Sequence, residues 1–248
     1  MSEERKFADM VGSYDGGIGK KKKVLFNTST NEDYFTKESY KTLRTNLIFC
    51  GKDIKTIAIT SYGANEGKST ISSELSKNLA EAGYKTLLID ADMRKSVMLK
   101  KNSQSQQVEG LSEAPSDLKP YTELIYGTQY DKFDVMFSGH FPPMPVELIG
   151  NGIFEKMLKE LNQIYDYIII DTPPLGLVID AAVISSYCDG AILVIADRRV
   201  NRKEALEVKK QIENSGCKIL GTVINEIDKK STKYYRKEYS KKYYQEYK

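Results

Sequence analysis

The sequence contains little of what metal centres and membrane spans require. It has no Trp, a single His, and three scattered Cys without a C-x-x-C pair. This scarcity argues against a zinc or iron–sulfur site and is typical of proteins from a reducing compartment. No apolar run reaches the roughly 18 residues of a membrane span, and the start, MSEERKFADM, lacks the apolar segment of a signal peptide. We therefore expect that any membrane attachment comes through a partner.

The most informative segment is residues 57–70, which read IAITSYGANEGKST. A short apolar strand runs into a polar loop, and the letters GKST then open a helix. The backbone N–H groups of such a loop and of the helix N-terminus surround one point and can bind phosphate. Lys68 would reach the β- and γ-phosphates of a nucleotide, and the Ser69 hydroxyl would bind Mg²⁺. The loop departs from the standard G-x-x-x-x-G-K-[ST] pattern because Tyr62 stands where the first glycine would be.

Two further apolar strands end in carboxylates. Residues 85–94 read KTLLIDADMR and place Asp90 and Asp92 after one strand, and residues 167–174 read YIIIDTPP and place Asp171 after another. Because ligands bind at the carboxyl ends of parallel strands, we expect the three carboxylates to lie with the phosphate loop at one edge of a sheet. A single Asp at a strand end could be a helix cap, whereas three beside a phosphate loop favour a functional site.

The pattern along the chain predicts an α/β fold. Apolar strands recur near residues 55–60, 85–90, 133–137, 167–171, 190–196 and 218–225, with helices between most of them. This alternation predicts a mostly parallel central sheet with helices on both faces. Helical spacing covers residues 32–49, and the polar stretch 100–120 is expected to be a loop with short helical pieces.

The last twenty residues differ in kind from the rest. Residues 229–248 hold eight Lys or Arg and two Glu, a net charge of +6, whereas residues 1–228 carry about −3. Six tyrosines lie in this tail: Tyr234, Tyr235, Tyr239, Tyr243, Tyr244 and Tyr247. Without aliphatic residues the tail cannot bury a core face, and we expect it to be disordered when alone. Considered by itself, it could bind single-stranded nucleic acid, lie on anionic lipid, or keep the protein soluble.

The combination of these motifs resembles the bacterial tyrosine kinases that control capsule and exopolysaccharide synthesis, in particular the cytoplasmic kinase subunit of Gram-positive bacteria. That family combines a modified phosphate loop, a D-x-D-x-R strand end, a D-[ST]-P-P strand end and a C-terminal tyrosine cluster. Here these motifs are residues 63–70, 90–94, 171–174 and 234–247. The segment 138–148, SGHFPPMPVEL, also resembles the family's proline-rich stretch before a long helix, which makes His140 a loop residue.

The resemblance covers residues 34–248 and implies the fold of a P-loop NTPase of the deviant Walker-A group, to which MinD- and ParA-like ATPases also belong. It divides the chain into an N-terminal arm and oligomerisation helix over residues 1–50, a P-loop kinase domain over residues 51–228, and the tail over residues 229–248. Asn65 stands where the family has glycine. Because Asn tolerates positive φ better than other side chains, we expect the loop to keep its shape.

The implied cofactors are ATP and Mg²⁺. The residues that would bind the nucleotide are Gly63, Ala64, Asn65, Glu66, Gly67, Lys68, Ser69, Thr70 and, at the adenine, Asn225. Ser69, Asp92 and Asp171 would hold Mg²⁺, and Lys68 would stabilise the transferred phosphoryl group. Asp90 would lie nearest to the acceptor phenol and could take its proton. Arg94 would face a phosphate or a neighbouring subunit.

The six tail tyrosines would be the phosphoacceptors of a neighbouring subunit. Glu38, Lys41 and Arg44 match the family's E-x-x-R-x-x-R oligomerisation motif, with Lys41 in place of the first Arg, and would join subunits into a ring-like homo-oligomer. The implied partners are a membrane-anchored polysaccharide co-polymerase that activates the kinase and a cognate tyrosine phosphatase, with no nucleic acid. The implied location is the cytoplasm, at the inner face of the plasma membrane through that partner.

Two other functions use the same residues differently. A MinD- or ParA-like regulatory ATPase without kinase activity would share the strand-end aspartates, but such proteins usually have Lys at the position of Gly63 and need no tail tyrosines. A nucleic-acid- or lipid-binding module would depend on the basic tail. Its binding would be sensitive to salt and would survive the loss of Lys68.

Overall fold

The structure is a computed structural model that describes residues 22–28, 33–102, 108–116 and 120–227. The basic tail and its six tyrosines lie outside these residues, as does most of the predicted N-terminal arm. Within the described residues, the strands are β1 Lys22–Lys23, β2 Thr56–Ser61, β3 Thr86–Asp90, β4 Tyr126–Gly127, β5 Phe133–Met136, β6 Tyr167–Asp171, β7 Gly190–Ala196 and β8 Ile219–Asn225. The α-helices are α1 Tyr34–Phe49, α2 Lys68–Glu81, α3 Val97–Asn102, α4 Pro145–Gly150, α5 Ile153–Leu161, α6 Asp180–Ser185 and α7 Arg202–Asn214.

The strands form one sheet in the order β1-β4-β5-β3-β6-β2-β7-β8. Each neighbouring pair in that sheet is parallel except β4 and β5, which are antiparallel. The predicted fold class, a mostly parallel sheet with helices on both faces, is therefore confirmed. The order places β6 between β2 and β3, so the three strands with the predicted site motifs are adjacent.

Both faces of the sheet are buried, which explains why the central strands are apolar throughout. Every residue of β2, β3 and β6 is buried. Consecutive residues of β3 serve opposite faces: Leu87 and Ile89 pack in a cluster with α5, whereas Leu88 packs in a cluster with α1 and α2. A strand covered on both faces must be apolar at odd and even positions alike.

Six of the strands agree with the predicted ones to within a few residues, whereas the short strands β1 and β4 were not predicted, and β1 lies in the predicted N-terminal arm. Two helical regions also differ from the prediction. Helix α1 begins at Tyr34 rather than at residue 32, because Asp33 caps it by accepting a 2.8 Å hydrogen bond from the Thr36 N–H. The expected long helix after the proline-rich stretch is two helices, α4 and α5, because Gly152 has a φ of +82° between them. Residues 111–116 form a short 3₁₀ helix, which agrees with the short helical pieces predicted for the stretch 100–120.

His140 lies in a loop, as predicted, with its Nδ1 2.9 Å from Glu113 Oε1. Among the described residues, none of the helices combines the length and apolar character needed to cross a membrane.

Candidate active site

The phosphate loop connects β2 to α2 through two left-handed residues. Asn65 has a φ of +60° and Gly67 a φ of +88°. Asn65 therefore adopts the positive φ that was expected at this position, where the family has glycine. A Cβ on Gly67 would lie 2.0 Å from Asn225 Nδ2, so any side chain there would have to displace Asn225. Tyr62, at the position of the standard first glycine, anchors the loop instead: its carbonyl accepts a 3.0 Å hydrogen bond from the Gly176 N–H.

The N-terminus of α2 has the properties of an anion site. Gly67 precedes the helix and has no side chain that could cap it, and the first turn carries no acidic residue. The first N–H groups of a 14-residue helix are therefore left for another acceptor, and the helix dipole favours an anion there. The arrangement of loop and helix fits the phosphates of a nucleotide.

Lys68 and Asp171 form the centre of the site. Strand β6 pairs with β2 through Ile59 and Asp171 and with β3 through Asp90 and Asp171, which places Asp171 between the phosphate loop and the acidic end of β3. Lys68, the first residue of α2, is 7% exposed and is therefore a buried cation. Its charge lies close enough to Asp171 to favour the ionised carboxylate.

Asp171 is buried and surrounded by hydroxyl groups. Its Oδ1 accepts a 3.1 Å hydrogen bond from Ser72 Oγ, and the Ser69 hydroxyl also bonds to the carboxylate. Burial raises the pKa of Asp171 to about 6, although Lys68 and the two hydroxyls oppose this rise. The hydroxyl of Ser69 and the carboxylate of Asp171 are hard oxygen ligands and fit Mg²⁺.

The two carboxylates after β3 differ in exposure. Asp90 is fully buried: its Oδ2 accepts a short hydrogen bond from Ser96 Oγ, and its Oδ1 accepts a 3.2 Å hydrogen bond from the Asp92 N–H. Burial, and then the charge of Asp171, raise the pKa of Asp90 well above its usual range. Asp92 is half-buried and close enough to raise the pKa of Asp171. Asp92 is therefore the more accessible of the two carboxylates, and the expected position of Asp90 nearest to an incoming phenol stays a prediction.

Arg94 has a partner within the same chain. Its Nε lies 2.7 Å from Asp180 Oδ2 and its Nη2 lies 3.1 Å from Asp180 Oδ1, in a bidentate pair. Asp180 is the first residue of α6 and is 2% exposed. Arg94 therefore ties the loop after β3 to α6, which differs from its expected position facing a phosphate or another subunit. Sequence reasoning missed Asp180 because an acidic residue at a helix start is an ordinary capping signal.

The other predicted nucleotide ligands fall into two groups. Ala64, Asn65 and Thr70 are exposed, and Gly63, Gly67 and Ser69 are half-buried. A cleft next to Ser69 and Thr70 separates α2 from α3 and is also lined by Ser73 and Lys101.

Glu66 and Asn225 lie beneath the loop. The Glu66 carboxylate accepts hydrogen bonds from the N–H groups of Gly63 and Ala196, and Asn225 Nδ2 donates to the Glu66 carbonyl over 2.9 Å. Arg199, which the sequence did not indicate, donates to the Asn65 carbonyl over 3.2 Å and pairs with Glu226 over 3.0 Å.

The three predicted oligomerisation residues make contacts within their own subunit. Lys41 Nζ lies 2.7 Å from Glu38 Oε1 on the exposed side of α1. Arg44 Nη1 donates a 3.2 Å hydrogen bond to the Asn78 carbonyl of α2. Their role between subunits stays a prediction.

Comparison with known proteins identifies the family of this chain. Residues 54–233 match a family model described as an AAA domain. The tyrosine-protein kinase CpsD of Streptococcus agalactiae is 44% identical over 199 residues, which cover 80% of this chain and 87% of that protein. Among solved structures, the chimerical protein CapA2B2 is 30% identical with a TM-score of 0.75, over 92% of this chain and 100% of that one. The kinase domain of the Escherichia coli tyrosine kinase ETK is 28% identical with a TM-score of 0.72, over 82% and 83% of the two chains.

Proposed function

The chain belongs to the bacterial tyrosine-protein kinases of capsule and exopolysaccharide synthesis, and we propose that it uses ATP and Mg²⁺ to phosphorylate the tail tyrosines of a neighbouring subunit. The observation that carries this proposal is the uncapped N-terminus of α2 beside a buried lysine and a buried carboxylate. These groups supply the phosphate cradle, the cation and the metal ligand that phosphoryl transfer requires.

The residues of the site divide the work by position. Bound MgATP supplies the phosphoryl group and the metal charge. The N–H groups at the start of α2 hold phosphate oxygens, and Lys68 neutralises charge that builds up in the transition state. Ser69 and Asp171 would hold the metal, together with the nearby Asp92. Because a tyrosine hydroxyl has a pKa near 10, a nearby carboxylate would assist its deprotonation. Asp92 is half-buried whereas Asp90 is buried, so Asp92 is the carboxylate that an incoming tyrosine could reach.

The tail is the substrate best matched to this enzyme. Tethering gives each tail tyrosine a high effective concentration at an adjacent site. Each phosphotyrosine adds about −1.5 to −2 charges at pH 7, so six would change the tail from +6 to about −3 to −6. A tail docked on an acidic neighbour would then be repelled. Phosphorylation would thereby dissociate a ring-like homo-oligomer that assembles through residues 38–44.

The partners follow from the family. A membrane-anchored co-polymerase would activate the kinase and recruit it to the inner face of the plasma membrane, and a cognate tyrosine phosphatase would reverse the reaction. The cycle would regulate polysaccharide synthesis and export.

The experiment replaces all six tail tyrosines with Phe. This variant keeps the aromatic rings and the +6 charge but has no acceptor hydroxyl. With MgATP, we expect phosphate incorporation to fall to the level of Lys68→Met, which should lose about 10²- to 10³-fold in rate. The six-Phe variant, unlike Lys68→Met, should still phosphorylate an added tyrosine-rich peptide. Phosphosites are mapped by mass spectrometry, and oligomer size is followed by light scattering.

The rival functions give other results. A regulatory ATPase without kinase activity would hydrolyse ATP and label neither the tail nor the peptide. A lipid- or nucleic-acid-binding tail would bind its ligand equally well with Phe, since charge and stacking are retained. Full phosphate incorporation on the body of the six-Phe variant would contradict the tail as the substrate.

A further inference from the structure

Glu66 lies in the middle of the phosphate loop, yet its side chain points into the protein. It is 3% exposed, whereas the preceding Ala64 and Asn65 are exposed. One carboxylate oxygen accepts a short hydrogen bond from the Gly63 N–H, and the other accepts a 3.3 Å hydrogen bond from the Ala196 N–H. The carboxylate therefore connects the beginning of the loop to the end of β7, the strand next to β2.

The main chain at this point is held as well. Asn225, the last residue of β8, donates to the Glu66 carbonyl over 2.9 Å, and Arg199 donates to the carbonyl of Asn65. Glu66 is flanked by the left-handed residues Asn65 and Gly67. Such a backbone persists where the surrounding structure fixes it, and the ends of β7 and β8 supply the contacts that do so.

The orientation of the carboxylate also suits the charge of the ligand. A carboxylate directed at the phosphates would repel them, whereas here two N–H groups satisfy the carboxylate beneath the loop. The Gly63 N–H is bonded to Glu66, so the phosphate contacts are left to the following residues and the start of α2. We infer that Glu66 is a positioning residue that shapes the phosphate loop before the nucleotide arrives and does not touch it, an inference that rests on the proposed ATP site.

The test compares wild type with Glu66→Gln. The amide has the size of the carboxylate, but its NH₂ group faces one of the two N–H donors. One of the two hydrogen bonds that the carboxylate accepts is therefore lost. Since a hydrogen bond to a charged group is lost, we expect the KM for ATP to rise about tenfold or more. The kcat at saturating ATP should stay within about twofold of wild type, because Lys68 and Asp171 are unchanged.

Glu113→Gln is the matched control. Glu113 accepts hydrogen bonds from the N–H groups of Gly110 at 2.5 Å and His140 at 3.1 Å, so it also ties two loop segments together. Its segments lie near the end of β5, which β3 and β6 separate from β2 in the sheet. This variant should lose thermal stability without a change in the KM for ATP.

A second measurement does not depend on ATP. In the nucleotide-free protein, backbone hydrogen exchange over residues 63–67 should be faster in Glu66→Gln than in wild type and unchanged in Glu113→Gln. Asn225→Ala should shift the KM in the same direction, and the double variant with Glu66→Gln should show less than the product of the two effects.

The outcomes separate the alternatives. A lower Tm with a wild-type KM would reduce Glu66 to a structural residue, and a loss of kcat with an unchanged KM would mean that it acts on the reacting atoms. Equal exchange over residues 63–67 would also overturn the inference. If wild-type protein binds no ATP, the proposed function fails, whereas the exchange measurement still decides whether Glu66 shapes the loop.

Discussion

At the residue scale, the candidate site contains two buried groups of opposite charge, Lys68 and Asp171, and the ionisation of Asp171 affects the stability of the fold. The pKa of Asp171 is about 6, above its ordinary value of 3.8, because burial opposes ionisation more strongly than Lys68 favours it. Between these two pH values the folded protein binds more protons than the unfolded chain. Its stability therefore falls as pH rises from about 4 to about 6 and stays lower above that range. Above pH 6 and without a ligand, the ionised carboxylate of Asp171 therefore lowers the free energy of unfolding.

Replacing this carboxylate should stabilise the protein while it abolishes the activity. In EDTA and without nucleotide, we expect Asp171→Asn to be more stable than wild type at pH 7.5, by up to about 3 kcal/mol. The difference should shrink as pH falls through 6 towards 4, where the wild-type carboxyl is protonated. Urea unfolding from pH 4.5 to 7.5 measures it. A variant less stable than wild type at pH 7.5 would show that Asp171 contributes to the fold through its contacts with Ser72 and Lys68.

At the scale of elements, the junction of β2 and α2 depends on the fit of Gly67 against β8. Gly67 and Gly216 have nearly equal φ values, +88° and +82°. A Cβ on Gly67 would meet Asn225 Nδ2 at 2.0 Å, whereas a Cβ on Gly216 would have no heavy atom within 4 Å. Alanine substitutions at these two glycines therefore distinguish the effect of backbone strain, which both share, from the effect of a steric clash, which occurs only at Gly67.

We expect Gly216→Ala to lose about 1 kcal/mol of unfolding free energy through its left-handed backbone, with wild-type kinase activity. Gly67→Ala should carry the same strain and also displace Asn225, so it should be less stable than Gly216→Ala and should bind ATP poorly. Denaturation curves and nucleotide titrations compare the pair. Equal stability and equal ATP affinity in the two variants would contradict a role for the contact between Gly67 and Asn225.

The main elements and the family follow from the sequence, whereas the contacts within the candidate site do not. Apolar runs predicted the strands well because strands covered on both faces have no polar alternation. Strand order was enough to bring Asp90 and Asp171 together. By contrast, the burial of Asp90 relative to Asp92 depends on how the end of β3 packs. The pairing of Arg94 with Asp180 joins residues 86 positions apart, which no local pattern reveals.

At the scale of the whole molecule, the last strand ends against the nucleotide site. Asn225 contacts the phosphate loop, and the described chain ends at Ile227, two residues later. In the sequence, the six tail tyrosines follow Ile227 at distances of seven to twenty residues. A folded domain of about 200 residues is roughly 40 Å across, which sets the scale of the gap to a neighbour's site.

The distance along the chain then orders the acceptors. Tyr234 is the seventh residue after Ile227, at most about 25 Å of extended chain away, whereas Tyr247 is the twentieth, up to about 70 Å away. We expect Tyr243, Tyr244 and Tyr247 to be phosphorylated before Tyr234 and Tyr235, as time-resolved mass spectrometry of the phosphosites would measure. Early labelling of Tyr234 would instead indicate transfer within one subunit. Under the proposed function, the tail would act as a molecular ruler, in which each tyrosine's place in the sequence sets when it is modified.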